Sequence, residues 1–275
     1  MTPIETVEAL AARVPDGAFV ALPPDASLCP VALVRALIRR GVRDLHLLGV
    51  PISGFATDLL IGAGCVSALT TSAVTLGEAG LAPRFTAAMR TGALRLTDAT
   101  CPAVHTALQA AEKGVPFLPL RGMIGTDLLA DRTDWRVIDN PFAEAPDPIV
   151  LIPALVPDIA LIHAAMADRF GNVWVGRRRE LATIAHAART TLVTAERLVE
   201  GNLMADERLA PGVISSLYVS AVAEAERGAW PLALLDLYPA DAAHLDAYAK
   251  AARTEEGFRA YLAEHVLGPL PKAAE

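Results

Sequence analysis

Two apolar rhythms alternate along the first hundred positions. Ala18-Phe19-Val20-Ala21-Leu22 and Leu45-His46-Leu47-Leu48-Gly49-Val50 are short, nearly continuous apolar runs, the pattern of strands buried on both faces. Between them, Pro30 to Arg40 has helical spacing. Leu33 with Leu37, and Val34 with Ile38, make one stripe, and Gly41 ends it. The alternation continues with a helix at Phe55–Ile61, a strand at Val66–Val74, a helix at Pro83–Arg90 closing near Gly92, and a strand at Leu94–Thr97. An amphipathic segment, Thr2–Arg13, precedes them, with Thr2 as its expected cap. Strands and helices joined by short connections predict right-handed parallel crossovers.

The stretch Arg95–Arg121, RLTDATCPAVHTALQAAEKGVPFLPLR, concentrates the most signals. A strand runs into a polar loop, Asp98-Ala99-Thr100-Cys101-Pro102. Pro102 suits a first helical turn, and Thr100 or Asp98 suits its cap. Val104, Leu108 and Ala111 share a face, and Gly114 ends the helix before Val115–Leu120 returns as a strand. Residues Met123–Pro148 are acidic and broken, and read as an excursion with short strands such as Trp135–Ile138. Ile149–Pro153, Ile159–His163, Asn172–Val175, Thr190–Thr194 and Val213–Val222 are expected strands. Arg177–Ala188 and a tail from Ala240 to Leu267 are expected helices. No internal repeat or low-complexity linker divides the chain, so one α/β domain with a helical tail is expected.

Composition narrows the function classes. The 275 residues are 53% hydrophobic and 20% charged, which suits a doubly covered sheet. The net charge of −7 and the lack of a basic tract argue against nucleic acid. Cys29, Cys65 and Cys101 form no CxxC or metal spacing, so a reducing, cytoplasmic setting is expected. The acidic N-terminal helix is not a signal peptide. Leu59–Gly77 is uncharged, but Gly62, Gly64 and a run of Ser and Thr make it a helix, turn and strand, not a membrane span.

Candidate chemistry is sparse. There is no GxSxG, no P-loop and no HExxH, and Gly62-Ala63-Gly64 lacks the third glycine of a dinucleotide fingerprint. His163 and His186 read as hydrogen-bonded core histidines. Arg177-Arg178-Arg179 is open between an acidic ligand, a partner contact and a solvated helix start. Glu78, beside glycines after a strand, is either a reactive carboxylate or a loop surface residue. Cys101, at a helix start, is either an activated thiol or a small buried residue. Loops that follow parallel strands emerge on one sheet edge, which groups Ser72, Glu78, Asp98, Thr100 and Cys101 as candidate pocket residues.

The order of motifs resembles the α subunit of family I CoA-transferases, closest in wording to the glutaconate type. The similar pieces are PVALVRALIRRGVRDLHLLGV (Pro30–Val50), DLLIGAG (Asp58–Gly64), TSAVTLGEAGLAPRF (Thr71–Phe85), RLTDATCPAVHTALQAAEKGVPFLPLRG (Arg95–Gly122), ALIHAAMADRFGNVWVG (Ala160–Gly176) and TTLVTAERLV (Thr190–Val199). They cover most of the chain to about Gly228. The ADxxGN element, with Asp168, Gly171 and Asn172, and the GVPFLPLRG element are fairly specific together.

The resemblance implies an α/β fold of the CoA-transferase/NagB-RpiA-like kind: an open, mostly parallel sheet with helices on both faces and a helical C-terminal tail. It implies an α-subunit domain at 1–232, with a tail at 233–275 packed on the same domain or on a partner. It implies hetero-oligomers with a separate β subunit. Acyl-CoA and small carboxylic acids would be the substrates, with no permanently bound cofactor. The family's nucleophilic glutamate lies in a Ser-Glu-Asn-Gly type motif of the β subunit. Nothing in this chain matches that motif, so no catalytic residue is assigned here, and Ser72, Glu78, Asp98, Thr100 and Cys101 are left to shape the acyl pocket.

Two departures stand out. The family's GGF loop falls at Ala21–Asp25, which here is Ala-Leu-Pro-Pro-Asp. At Cys101, joined-chain relatives carry a polar residue such as Gln, and hydrolytic relatives a glutamate. This chain has neither, which leaves transferase, acyl-CoA or C–C hydrolase, and non-catalytic ligand-binding module as the alternatives.

Overall fold

The computed structural model describes residues 2–268. In chain order, Ile4–Glu5 (β1) and Val7–Ala12 (α1) are followed by Phe19–Leu22 (β2), Val31–Arg40 (α2), Leu45–Gly49 (β3), Phe55–Gly62 (α3), Val66–Thr71 (β4), Pro83–Thr91 (α4), Arg95–Asp98 (β5) and Cys101–Glu112 (α5). An excursion comprises Phe117–Leu120 (β6), Asp127–Asp131 (α6), Arg136–Asp139 (β7) and Pro148–Pro153 (β8). The chain then runs through Ile159–Ala164 (β9), Met166–Asp168 (β10), Val173–Trp174 (β11), Arg179–Ala187 (α7), Thr190–Ala195 (β12), Leu198–Val199 (β13), Val213–Ile214 (β14) and Ala221–Glu224 (β15). Ala242–Ala251 (α8) and Glu255–Leu262 (α9) follow, and a π-helical turn, Ala263–Leu267, continues α9.

The main sheet has eight strands in the order β1-β15-β12-β9-β2-β3-β4-β5, and every neighbouring pair is parallel. The period-2 alternation of a strand feeds two separate cores. Val20 and Leu22 of β2, Leu45 and Leu47 of β3, and Ile159 and Leu161 of β9 join one core, under α1 to α4, α8 and α9. Ala21, Leu48, Ala160 and Ile162 join the other, with Val104 and Leu108 of α5 and Leu181 and Ile184 of α7. Helices on both faces are why these strands read as continuous apolar runs.

Winding proceeds outward from β2 in both directions, through β3 to β5 on one side and from β9 on the other. The sheet therefore has a switch point between β2 and β9, the place where a crevice opens beyond the carboxyl ends of the strands.

Some sequence expectations are corrected. Thr2 is not the cap of α1. Its hydroxyl donates to Val219 O at 3.2 Å, and Thr6 caps the shorter helix by accepting from Ala9 N. The strand after α5 does not return to the parallel sheet. β6 pairs antiparallel with β8, and β8 with β7, in a separate three-stranded sheet. Ala103 and Ala107 of α5 pack with Trp135, Val150 and Ile152 beneath that sheet. Val213–Val222 is not one strand, because a 3₁₀ turn, Ser216–Tyr218, separates β14 from β15. β10, β11, β13 and β14 form a third small sheet. The tail is helical, and its Tyr248, Phe258, Tyr261 and Val266 are buried in the α2–α3 core. Residues 269–275, assigned to the tail from sequence, lie outside the described residues.

Candidate active site at the carboxyl edge of the sheet

The loops after β2, β3, β4 and β5 are tied together laterally. After β3, the Pro51 carbonyl accepts from Ser72 N at 3.0 Å, Ser72 Oγ at 2.8 Å and Thr71 Oγ1 at 3.2 Å. Ser53 N donates to Ala73 O, and Thr75 N donates to Ser53 O. After β4, Ser72 Oγ lies 3.2 Å from Cys101 Sγ at the start of α5. Ala99 N donates to Thr71 O, closing the step between β4 and β5.

Four of the five residues singled out from sequence sit on this rim. Thr100 is the N-cap of α5. Its Oγ1 accepts from Ala103 N at 3.3 Å and donates toward Met123 Sδ at 3.4 Å. Cys101 is exposed, so the small buried reading does not apply to it. Pro102 has no N–H and the Ala103 amide is taken by Thr100, which leaves the Cys101 amide without a backbone partner among the described residues. Asp98 is exposed, and its Oδ1 accepts from Ala99 N at 2.9 Å. Arg132, from the excursion, donates to the Asp98 carbonyl at 3.0 Å while pairing with Asp134 and stacking over Trp135. Glu78 lies apart on the exposed 3₁₀ turn Gly77–Ala79, which packs against α8. Its neighbour Ala79 lines a separate groove with Arg90, Ala249 and Arg253.

The switch point adds residues that sequence reasoning missed. Asp25, in the loop after β2, sends Oδ2 to Phe55 N at 2.7 Å, at the start of α3. The N-cap of α3 is Gly54, which has no side chain to do this. A Cβ at Gly54 would overlap the Asp25 carboxylate. Burial pushes the Asp25 carboxyl up to about 6, against the opposing effect of the Phe55 and Ala56 amides, with Asp58 adding a smaller upward push. Two residues on, Ser27 Oγ donates to Glu180 of α7.

A second cluster closes the other side of the switch point. His163 of β9 is 0% exposed, with Nδ1 2.9 Å from Thr194 Oγ1 and Nε2 3.0 Å from Glu196 Oε2. Glu196 also accepts from Arg227 N, Gly228 N and Tyr238 Oη. Burial raises the Glu196 carboxyl, but hydrogen bonds from His163, Arg227 and Tyr238 outweigh it and hold the group below its ordinary value. His163 is a hydrogen-bonded core histidine, as expected from sequence. The ADxxGN element is likewise a built turn. The buried Asp168 carboxylate accepts from Phe170 N, Asn172 N, Asn172 Nδ2 and Leu203 N.

Residues 4–221 match the family described as Coenzyme A transferase. The chain is 32% identical over 271 residues to the A subunit of 3-oxoadipate CoA-transferase from Pseudomonas knackmussii, covering 95% of this chain and 92% of that one. It is 30% identical over 250 residues to the cholesterol ring-cleaving hydrolase IpdA subunit of Rhodococcus jostii, covering 87% and 83%. It spans only 52% of an uncharacterized Archaeoglobus fulgidus protein to which it is 32% identical over 242 residues, 86% of this chain. Among solved structures, glutaconate coenzyme A-transferase from Acidaminococcus fermentans superposes with a TM-score of 0.88 at 29% identity, covering 97% of this chain and 89% of that one. The decarboxylase AibA/AibB superposes at 0.81 with 28% identity, covering 96% and 100%.

Proposed function

Because the chain belongs to the coenzyme A transferase family, we propose that it is the α subunit of a heteromeric CoA-transferase that moves CoA between an acyl-CoA and a small carboxylic acid. The observation that carries this reading is the likeness to one subunit of a CoA-transferase over 95% of the chain. The chain has no Ser-Glu-Asn-Gly type motif, so the nucleophilic glutamate is assigned to a separate β subunit. Acyl-CoA is a substrate here and not a resident cofactor. The assembly is a hetero-oligomer, and the absence of CxxC and metal spacing among the cysteines fits a cytoplasmic setting.

The reaction divides one exchange into covalent steps. The partner's glutamate attacks the thioester carbonyl, and the C–S bond breaks to give an acyl-glutamyl anhydride and CoA thiolate. The thiolate then attacks the glutamyl carbonyl, releasing the first acid as its carboxylate. The incoming carboxylate reverses the sequence. Each addition places negative charge on a carbonyl oxygen, and donors aimed at that oxygen lower the barrier. In this chain the Cys101 amide is assigned that role, with Ser72, Thr100 and Asp98 bounding the acyl pocket and Glu78 standing outside it.

The test is to co-express the chain with a β subunit of the same family and follow CoA esters by mass spectrometry. Exchange by the pair and none by the single chain is expected. Robust turnover by the single chain, free of any partner, overturns the assignment. The hydrolase and decarboxylase relatives support a second reading, lysis of an acyl-CoA on the same scaffold. Consumption of the ester without an acceptor acid would favour it.

A further inference from the structure

The rim of hydrogen bonds at the carboxyl edge begins one strand before the residues singled out from sequence. Asp25 stands at the switch point, where the GGF loop of the resembling family is replaced by Ala21-Leu-Pro-Pro-Asp25. Pro23 and Pro24 have no N–H to offer a ligand. In their place the loop delivers a carboxylate, and it goes to the start of α3. From there the connection is continuous. Phe55 follows Gly54 and Ser53, and the loop Pro51–Gly54 is bonded to Ser72 and Ala73. Ser72 in turn touches Cys101.

The chemistry of the position is unusual for a simple cap. A Ser or Asn would accept from Phe55 N without burying a charge. This carboxyl is pushed by burial to about 6, so it titrates within the range where enzymes work. The charged and titratable groups around it are few. Asp58 of α3 adds repulsion, and is itself engaged by Tyr248 Oη of α8 and Phe85 N of α4, with Arg84 nearby. Cys29, at the entry to α2, is buried and feels Asp25 in turn. Glu180 of α7 reaches the same loop at Ser27.

We propose that Asp25 is a positioning residue of the acyl-transfer site: its ionised carboxylate pins the start of α3 and, through the Pro51–Gly54 loop, sets Ser72 and Cys101, and its protonation weakens that hold. This rests on the α-subunit reading for its catalytic meaning, but the coupling itself is a property of this chain alone.

The decisive measurement is a pH titration of the isolated full-length chain by amide NMR. The Phe55, Ser53, Ser72 and Cys101 signals are expected to move together, with one midpoint near 6. In Asp25→Asn, whose amide oxygen still accepts from Phe55 N, that shared transition disappears. Movement confined to Phe55 and Ala56, or no transition in this range, overturns the proposal. The wild-type titration decides the question even where the variant does not fold. In the assembled enzyme, kcat is expected to fall to about a tenth on going from pH 7 to pH 5, with KM for acyl-CoA unchanged, and Asp25→Asn to flatten that acid limb. An acid limb that persists in the variant counts against Asp25. A complex that turns over no acyl-CoA at any pH refutes the transferase reading, and the amide titration still decides the coupling.

Discussion

At Asp25, burial and capping pull in opposite directions, and burial dominates. Its native carboxyl ionises at about 6, above the roughly 3.9 of an unfolded aspartate. The stability it contributes is therefore full below the unfolded value and lost as pH rises through about 6. Relative to wild type, Asp25→Asn should gain up to about 3 kcal/mol between pH 4 and pH 7, because the variant has nothing to ionise. Urea denaturation at several pH values reads this directly, and a gap independent of pH would refute it. Thr100 and Cys101 separate in the same way. Thr100→Val removes the cap of α5 and should cost about 1 kcal/mol, seen as a lower melting temperature. Cys101→Ala removes an exposed side chain whose neighbour is Ser72, so its melting temperature should not move. Turnover of the assembled enzyme should fall on the order of tenfold to a hundredfold, as displacing a positioned group does. Unchanged turnover removes the Cys101 thiol from the site and leaves only its amide.

Among the elements, the Asp168–Asn172 turn shows how a specific motif can be architectural. Four donors converge on one buried carboxylate, and Asn172 Oδ1 accepts from Ser216 N, so the turn joins β10 and β11 to the segments around β13 and β14. Asp168→Ala leaves those donors unpaired and should cost about 3–5 kcal/mol. Hydrogen exchange should show lost protection across the small sheet first, and a uniform loss over the whole chain would contradict that. Elements of this kind also mark what could be read from sequence. The βα alternation from Phe19 to Glu112 was legible because β2 and β3 are buried runs and α2 carries a clear apolar stripe. Partner choice was not. Phe117–Leu120 looks like any buried strand, and nothing local says that it pairs antiparallel with β8. The same limit hid Asp25. Its loop could be seen, but its place beside β9 depends on a strand order set by contacts far apart in sequence. Ser72 and Cys101 were found because their loops lie on neighbouring strands that are also close in sequence. Their 3.2 Å contact and the cap at Thr100 had no sequence signature beyond helix-start chemistry.

For the molecule as a whole, the tail is part of the main core and not an appendage. Tyr248 Oη donates to Asp58 Oδ2 at 2.7 Å, and Phe55 packs edge-on against the Tyr248 ring. Tyr248→Phe keeps the ring but leaves Asp58 with less to stabilise its charge, and should cost about 1–3 kcal/mol. A thermal melt checks this, and an unchanged melting temperature would show that the bond contributes nothing. Order of synthesis gives one more consequence of the strand arrangement. The half-sheet β2 to β5 comes from continuous sequence and can assemble as it leaves the ribosome. The open side of β2 must wait for β9, and Ile4 and Glu5, which precede β2 in the chain, must wait for Val222 and Ala223. A nascent chain stopped before Ile159 therefore carries an unpaired apolar edge at its centre, the kind of surface that recruits chaperones or pairs with the wrong strand. Ribosome-bound chains of that length should be trapped by chaperones, and chains extending beyond Glu224 should be released.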